Sequence, residues 1–203
     1  MARMPVRPYH HGDLRSALLA SAERTLLEKG VAALSLRELA RDVGVSHAAP
    51  GRHFKDKRAL LDALALVGFE RMAEDLDAAD SPELPLEARL TELATAYVHF
   101  AVSNAELLEV MYSRKHDPDI SEQLRAAVEG TMTQFVQIVI DAQERGEIIP
   151  DEPWTIALVL GAALHGTASF AAQGTLTPEA AVTGIAPLIH HLLNGLRPRG
   201  NER

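Results

Sequence analysis

The chain of 203 residues carries 20 Lys/Arg against 28 Asp/Glu and no cysteine, so disulfides, thiolate zinc sites and cysteine nucleophiles are excluded. Its length can bury a sizeable core. Arg3 and Arg7 are followed by no apolar run and the apolar stretch 156–164 is too short to span a bilayer, so a cytoplasmic protein without a membrane partner is expected.

Apolar residues recur at helical spacing along most of the chain and no sustained two-residue alternation appears, which predicts an all-α protein of about nine helices. The first helix runs from Asp13 to Lys29 and stops at Gly30; the second opens at Ser35, the third at Ser46 and the fourth near Asp56. A Pro/Asp/Ser-rich loop, 80–85, precedes a fifth helix over 86–102 and a sixth from Asn104. The seventh begins at Asp117-Pro118 and ends at Gly146. Within it, Phe135, Ile138, Val139 and Ala142 share one helical face, although their β-branched neighbours tempt a strand reading. The eighth covers 153–173, and the ninth opens at Thr177-Pro178 and stops at Asn194-Gly195.

Charge divides unevenly along this series. Residues 1–58 hold 11 Lys/Arg against 6 Asp/Glu, whereas residues 59–203 hold 9 against 22. A net charge of −8 therefore hides a basic module at one end, suited to phosphates, while the other end repels them.

The most informative stretch lies in the basic end. Over Ser35–Ala49 two short helices flank a three-residue turn. Ser35 and Glu38 have capping-box spacing, Leu36, Leu39 and Val43 supply a buried face, and Ala40 allows a close helix crossing. Gly44 accepts the positive φ of a sharp turn, and Ser46 starts the element whose exposed residues meet base edges in the major groove.

These residues resemble the TetR family of regulators. The resemblance rests on Gly12-Asp-Leu-Arg-Ser-Ala-Leu-Leu, on Leu36-Arg-Glu-Leu-Ala-Arg-Asp-Val-Gly-Val-Ser-His-Ala-Ala-Pro and on Arg52-His-Phe-Lys-Asp-Lys-Arg-Ala-Leu-Leu. It implies a helix-turn-helix DNA-binding domain over 1–56 and an effector-binding and dimerisation domain over 57–203. It further implies double-stranded operator DNA as partner, a small-molecule effector, and a homodimer formed through helices eight and nine. By that match Ser35, Arg37, Ser46, His47, Ala48, Arg52, His53 and Lys57 fall at or beside DNA-contacting positions. Residues 7–11 add a basic arm for the duplex. Two departures stand out: Gly51 occupies the place of an aromatic residue, usually a Tyr whose hydroxyl meets a phosphate, and Pro50-Gly51 weaken the third helix.

The C-terminal region more loosely resembles a subgroup with a Trp-His-Gly signature, matched by His165-Gly166 but with Gly161 in place of the Trp. Pocket candidates there are Tyr97, Phe100, Met111, Tyr112, Phe135, Trp154 and His165, with Met132 and Phe170 beside them; as a set they suit an apolar or amphipathic effector, and His165 is the first choice of polar anchor. Plain core packing is the competing role for each. The ridge Ile185, Leu188, Ile189, Leu192, Leu193 and Leu196 predicts a dimer interface.

No nucleophile with a base, no phosphate loop and no helix-borne metal pair appears, so neither an enzyme nor a cofactor is expected. Adjacent histidines, as at 10–11 and 190–191, point about 100° apart on a helix and do not readily chelate one ion. The reading is a ligand-responsive repressor of transcription; a helical interaction protein with weakened DNA binding is the alternative.

Overall fold

The computed structural model describes residues 11–196. Among the described residues there are nine α-helices and no strand. They are α1 (His11–Lys29), α2 (Leu36–Asp42), α3 (Lys57–Ala79), α4 (Leu86–Ser103), α5 (Ala105–Lys115), α6 (Glu122–Glu144), α7 (Pro153–Ala172), α8 (Pro178–Thr183) and α9 (Ile185–Leu196), with 3-10 turns at Val31–Ala33 and Pro50–Arg52.

Most boundaries follow from local chemistry. Gly30, Gly44 and Gly146 adopt φ of +74°, +74° and +69°, the left-handed conformation that ends a helix without steric cost. After α2 the N–H of Val45 reaches back to the Ala40 carbonyl at 2.9 Å and closes the turn. Asp56 starts α3 by accepting the Ala59 N–H at 2.8 Å, and Glu152 and Thr177 cap α7 and α8 in the same manner.

Four expectations are corrected. Ser35 precedes α2 but its side chain makes no capping bond, and Glu38 pairs with Arg41 one turn on rather than reaching back, so no capping box forms. No α-helix begins at Ser46. The amides of Ala49, Arg52 and His53 each bond three residues back, giving turns and the 3-10 segment, because Pro50 has no N–H to bond Ser46 and Gly51 gives little helical support. The helix expected from Asp117 begins at Glu122. Asp117 is held instead by Arg58 and Arg114, and Ser121 Oγ accepts the Leu124 N–H. The expected ninth helix is two helices broken at Gly184, where a Cβ would lie 3.1 Å from the Ala180 carbonyl oxygen, and Pro187 restarts the chain within the first turn of α9.

The chain forms two compact units. Among the described residues the first contains 11–68 together with Glu106–Leu124, and its core is built from Leu18, Leu39, Phe54, Leu60, Leu64 and Met111. Gly68 is required there, since a Cβ would come within 2.5 Å of the Met111 sulfur. Arg114 donates to buried Asp62 from Nε and to Asp117 from Nη1, both at 2.7 Å. Burial opposes the charge on Arg114, but Asp62 and then Asp117 outweigh it and hold the guanidinium pKa above its ordinary value.

In the second unit α4 packs on α7 and α9. Arg89 grips Asp80 with two bonds of 2.6 and 2.8 Å, and this hydrogen-bonded guanidinium keeps the Asp80 carboxyl below its usual range against the effect of burial. α7 is long and apolar enough to cross a membrane by composition, yet Ile156, Leu160 and Leu164 are buried in this unit.

The α9 ridge is also corrected. Ile185, Ile189 and Leu193 are buried within their own unit, so the apolar periodicity serves the protomer core; Leu188 and Leu192 stay half-buried, and the side chain of Leu196 lies outside the described residues. In the second unit the exposed large apolar residues are on α7, Trp154 at 47%, Leu158 at 54%, Val159 at 51% and Phe170 at 53% of full exposure, while Leu27 and Val31 are exposed in the first unit.

Candidate DNA-reading surface and effector site

The Gly44 turn sets α2 against the 46–53 segment, where a reading element must stand clear of the core. Arg37, Ser46, His47, Ala48 and Arg52 are exposed, whereas Ser35 and His53 are half-buried. Pro50, by contrast, is buried and anchors the segment from below. Lys57 is exposed, but its ammonium donates to the Val31 carbonyl at 2.8 Å, tying α3 to the first 3-10 turn. That use was not foreseen from the sequence. The arm expected at residues 7–10 lies outside the described residues.

Gly51 is exposed, its φ is not positive, and a Cβ there meets nothing within 4 Å. A larger residue therefore fits. Gly51→Tyr is expected to tighten operator binding about tenfold by restoring a hydroxyl bond to a phosphate, a charge-assisted hydrogen bond. Fluorescence anisotropy against operator DNA checks it, and unchanged affinity contradicts the placement of this segment on the backbone.

The candidate effector residues do not converge as one set. Tyr97 on α4 and His165 on α7 do meet: the tyrosine hydroxyl lies 2.9 Å from His165 Nδ1, and Ser169 Oγ lies 3.4 Å from Nε2. With Nδ1 accepting from the tyrosine, Nε2 carries the proton toward Ser169. Ser169 was missed in the sequence, although its position one turn after His165 was the available signal. A Cβ on Gly161 or Gly166 meets nothing within 4 Å, so there is open space on the helix that carries this histidine. Phe100 is buried on α4, Phe135 is half-buried on α6, as is Met132, and Trp154 is exposed at the start of α7. Met111 and Tyr112 belong to the first unit, where Met111 faces Gly68 and the Tyr112 ring carries the Lys115 ammonium 3.7 Å from its centroid. Burial lowers the Lys115 pKa. Among the described residues no cluster of three or more His, Asp or Glu side chains is placed to hold a metal ion.

α2, the Gly44 turn and an exposed polar segment ending in a 3-10 turn, followed by the long α3, have the layout of a helix-turn-helix whose second helix is shortened, as in a DNA-binding transcriptional regulator. The chain belongs to the tetR family of bacterial regulatory proteins: residues 18–64 match that family's N-terminal model, and residues 90–196 match the tetracyclin repressor-like C-terminal domain. The HTH-type transcriptional regulator UidR of Escherichia coli K12 is 26% identical over 142 residues, which span 68% of this chain and 70% of UidR. A Rhodococcus sp. RHA1 protein described as of unknown function is 44% identical, with a TM-score of 0.85 over 95% of this chain and all of its own. A tetR-family regulatory protein from Rhodococcus RHA1 shares the fold at 22% identity, with a TM-score of 0.70 over 92% of this chain and 98% of its own.

Proposed function

We propose that this chain is a homodimeric repressor that holds a palindromic operator and releases it when a small apolar or amphipathic molecule binds its second unit. The observation that carries the reading is the turn closed at Gly44 between α2 and the 46–53 segment, with six exposed residues among the eight assigned to DNA, in the N-terminal part of the chain where basic residues exceed acidic ones. Ser35, Arg37, Ser46, His47, Ala48, Arg52, His53 and Lys57 are the DNA-facing set. At the level of function the division stays at residue 56, with DNA binding before it and effector binding and dimerisation over 57–203. The setting is the cytoplasm, where operator and effector are both available.

Titrating the full chain onto DNA from upstream of its own gene tests this. Nanomolar binding with log affinity falling steeply against log salt supports it, since each neutralised phosphate releases counterions. Affinity no better than for a scrambled duplex favours the interaction-protein alternative.

The Tyr97–His165 pair is the polar anchor for the effector, with Phe100 and Phe135 as apolar surroundings, and the remaining candidates are core or surface residues. Dimerisation runs through α7, with the half-buried side of α9 beside it. Leu158, Val159, Ala162 and Phe170 recur at helical spacing on an exposed strip that a lone protomer leaves wet, and the small Ala162 permits close approach of a second helix. Leu158→Ala is expected to raise the dimer dissociation constant about tenfold, because each dimer loses two buried leucine side chains. Sedimentation equilibrium reads the change; a fully monomeric wild type at micromolar concentration rules the interface out.

A further inference from the structure

The first unit contains a cleft beside the proposed DNA-reading segment, with which it shares His53. α1, the turn before α3, the first turns of α3 and the link into α6 enclose about 610 Å³. Its carboxylates are already engaged. Asp56 accepts the Ala59 N–H, Asp62 accepts Arg114 Nε at 2.7 Å and the Ser121 N–H at 3.2 Å, and Asp119 accepts Arg58 at 3.4 Å. Two lining cations, Arg15 and Lys55, have no carboxylate partner among the described residues, and the Arg15 guanidinium rests 5.6 Å from the centroid of the Phe54 ring. His53 also lines the cleft, and its Nε2 is buried without any hydrogen-bond partner, a rare condition for a buried polar atom. Phe54, Leu66 and Ile120 add apolar wall.

Two cations without a carboxylate partner beside apolar walls in one recess favour a ligand with an anionic head and an apolar body. We infer that this cleft binds a small organic anion, a carboxylate or phosphate on a short apolar body, with Arg15 and Lys55 holding the anionic group beside the His53 ring. The site lies in the DNA-reading unit and is separate from the Tyr97–His165 anchor. Lys55 and His53 adjoin the 46–52 reading segment, so an anion held there cancels positive charge beside the operator and weakens DNA binding.

The experiment titrates octanoate and octyl phosphate into the full chain, with octan-1-ol as the uncharged match and inorganic phosphate as the bare anion. His53 ring resonances report the cleft and calorimetry reports affinity. The expected result is that both amphipathic anions shift the His53 signals, and that Arg15→Gln/Lys55→Gln weakens this binding at least about tenfold. Octan-1-ol leaves the signals in place, and His165→Ala leaves the His53 shift unchanged. Both substituted side chains are exposed, so the variant keeps its fold, which its melting curve verifies. Unmoved His53 signals with both anions up to millimolar concentration overturn the inference. So does equal binding by the double variant, or bare phosphate binding as tightly as octanoate. Loss of operator affinity in the double variant with octanoate binding intact assigns the two cations to the DNA backbone, and the inference fails.

Discussion

Arg114→Met is expected to cost about 3–5 kcal/mol of stability, because it leaves the Asp62 carboxyl buried with only the Ser121 N–H as partner. The side chains of Arg114 and Asp62 are 9% and 11% exposed, so solvent screening offers little relief. Arg114 Nη2 is itself buried without a partner, so the present arrangement already carries one unmet bond and has no slack to absorb another. For a chain of this length the loss lowers the melting temperature by roughly 10 °C. Removing both charges together, as Arg114→Met with Asp62→Leu, is expected to recover most of it, since the apolar pair has no desolvation penalty to overcome. Calorimetric melting of the two variants decides the matter: a single variant that melts within about 2 °C of wild type contradicts the expected loss.

This pair also marks where reading the sequence stops. A lone Asp among Leu60, Leu61, Ala63 and Leu64 signals a buried charge with a partner, but its Arg lies 52 residues away and nothing in helical periodicity reveals it. Tyr97 and His165 were each legible as candidates, and their meeting across 68 residues was not. Glycine punctuation was the most readable feature, because Gly30, Gly44 and Gly146 act through their own backbone and need no distant contact. Competition between neighbours was harder to read: Glu38 had the spacing for a capping box and found Arg41 closer. Apolar spacing identifies a buried face without naming what buries it. The Ile185, Ile189 and Leu193 ridge therefore suggested a second protomer where the chain's own core takes it. Pro50 and Gly51 announced a weak third helix, and the 3-10 turn is what that weakness becomes.

The response of DNA affinity to effector is expected to vanish when a Gly-Ser segment is inserted after Leu66, while effector binding itself stays nearly intact. α3 is one uninterrupted helix whose residues up to Gly68 belong to the first unit and whose residues from Phe69 belong to the second. It gives about three turns to each. Leu60 and Leu64 are buried in the first, and Phe69 and Met72 are buried in the second, so neither half is free to move without its surroundings. The chain passes between the units at two other points, inside the first turn of α5 and inside the first turn of α6, and neither gives a rigid element of comparable length on both sides. An effector shifts DNA affinity only by binding one conformation better than another, and the coupling must act equally in both directions. Its expected size is about 1–3 kcal/mol, or roughly 5- to 150-fold in operator affinity. A flexible insert leaves the proposed Tyr97–His165 anchor untouched, since both residues lie beyond it in the second unit, but it interrupts α3, which runs unbroken from one unit into the other. Operator anisotropy with and without effector, run beside a thermal-shift measurement of effector binding, reads both ends of the coupling. An insertion variant that still releases DNA over the full wild-type range assigns the transmission to the α5–α6 crossings instead.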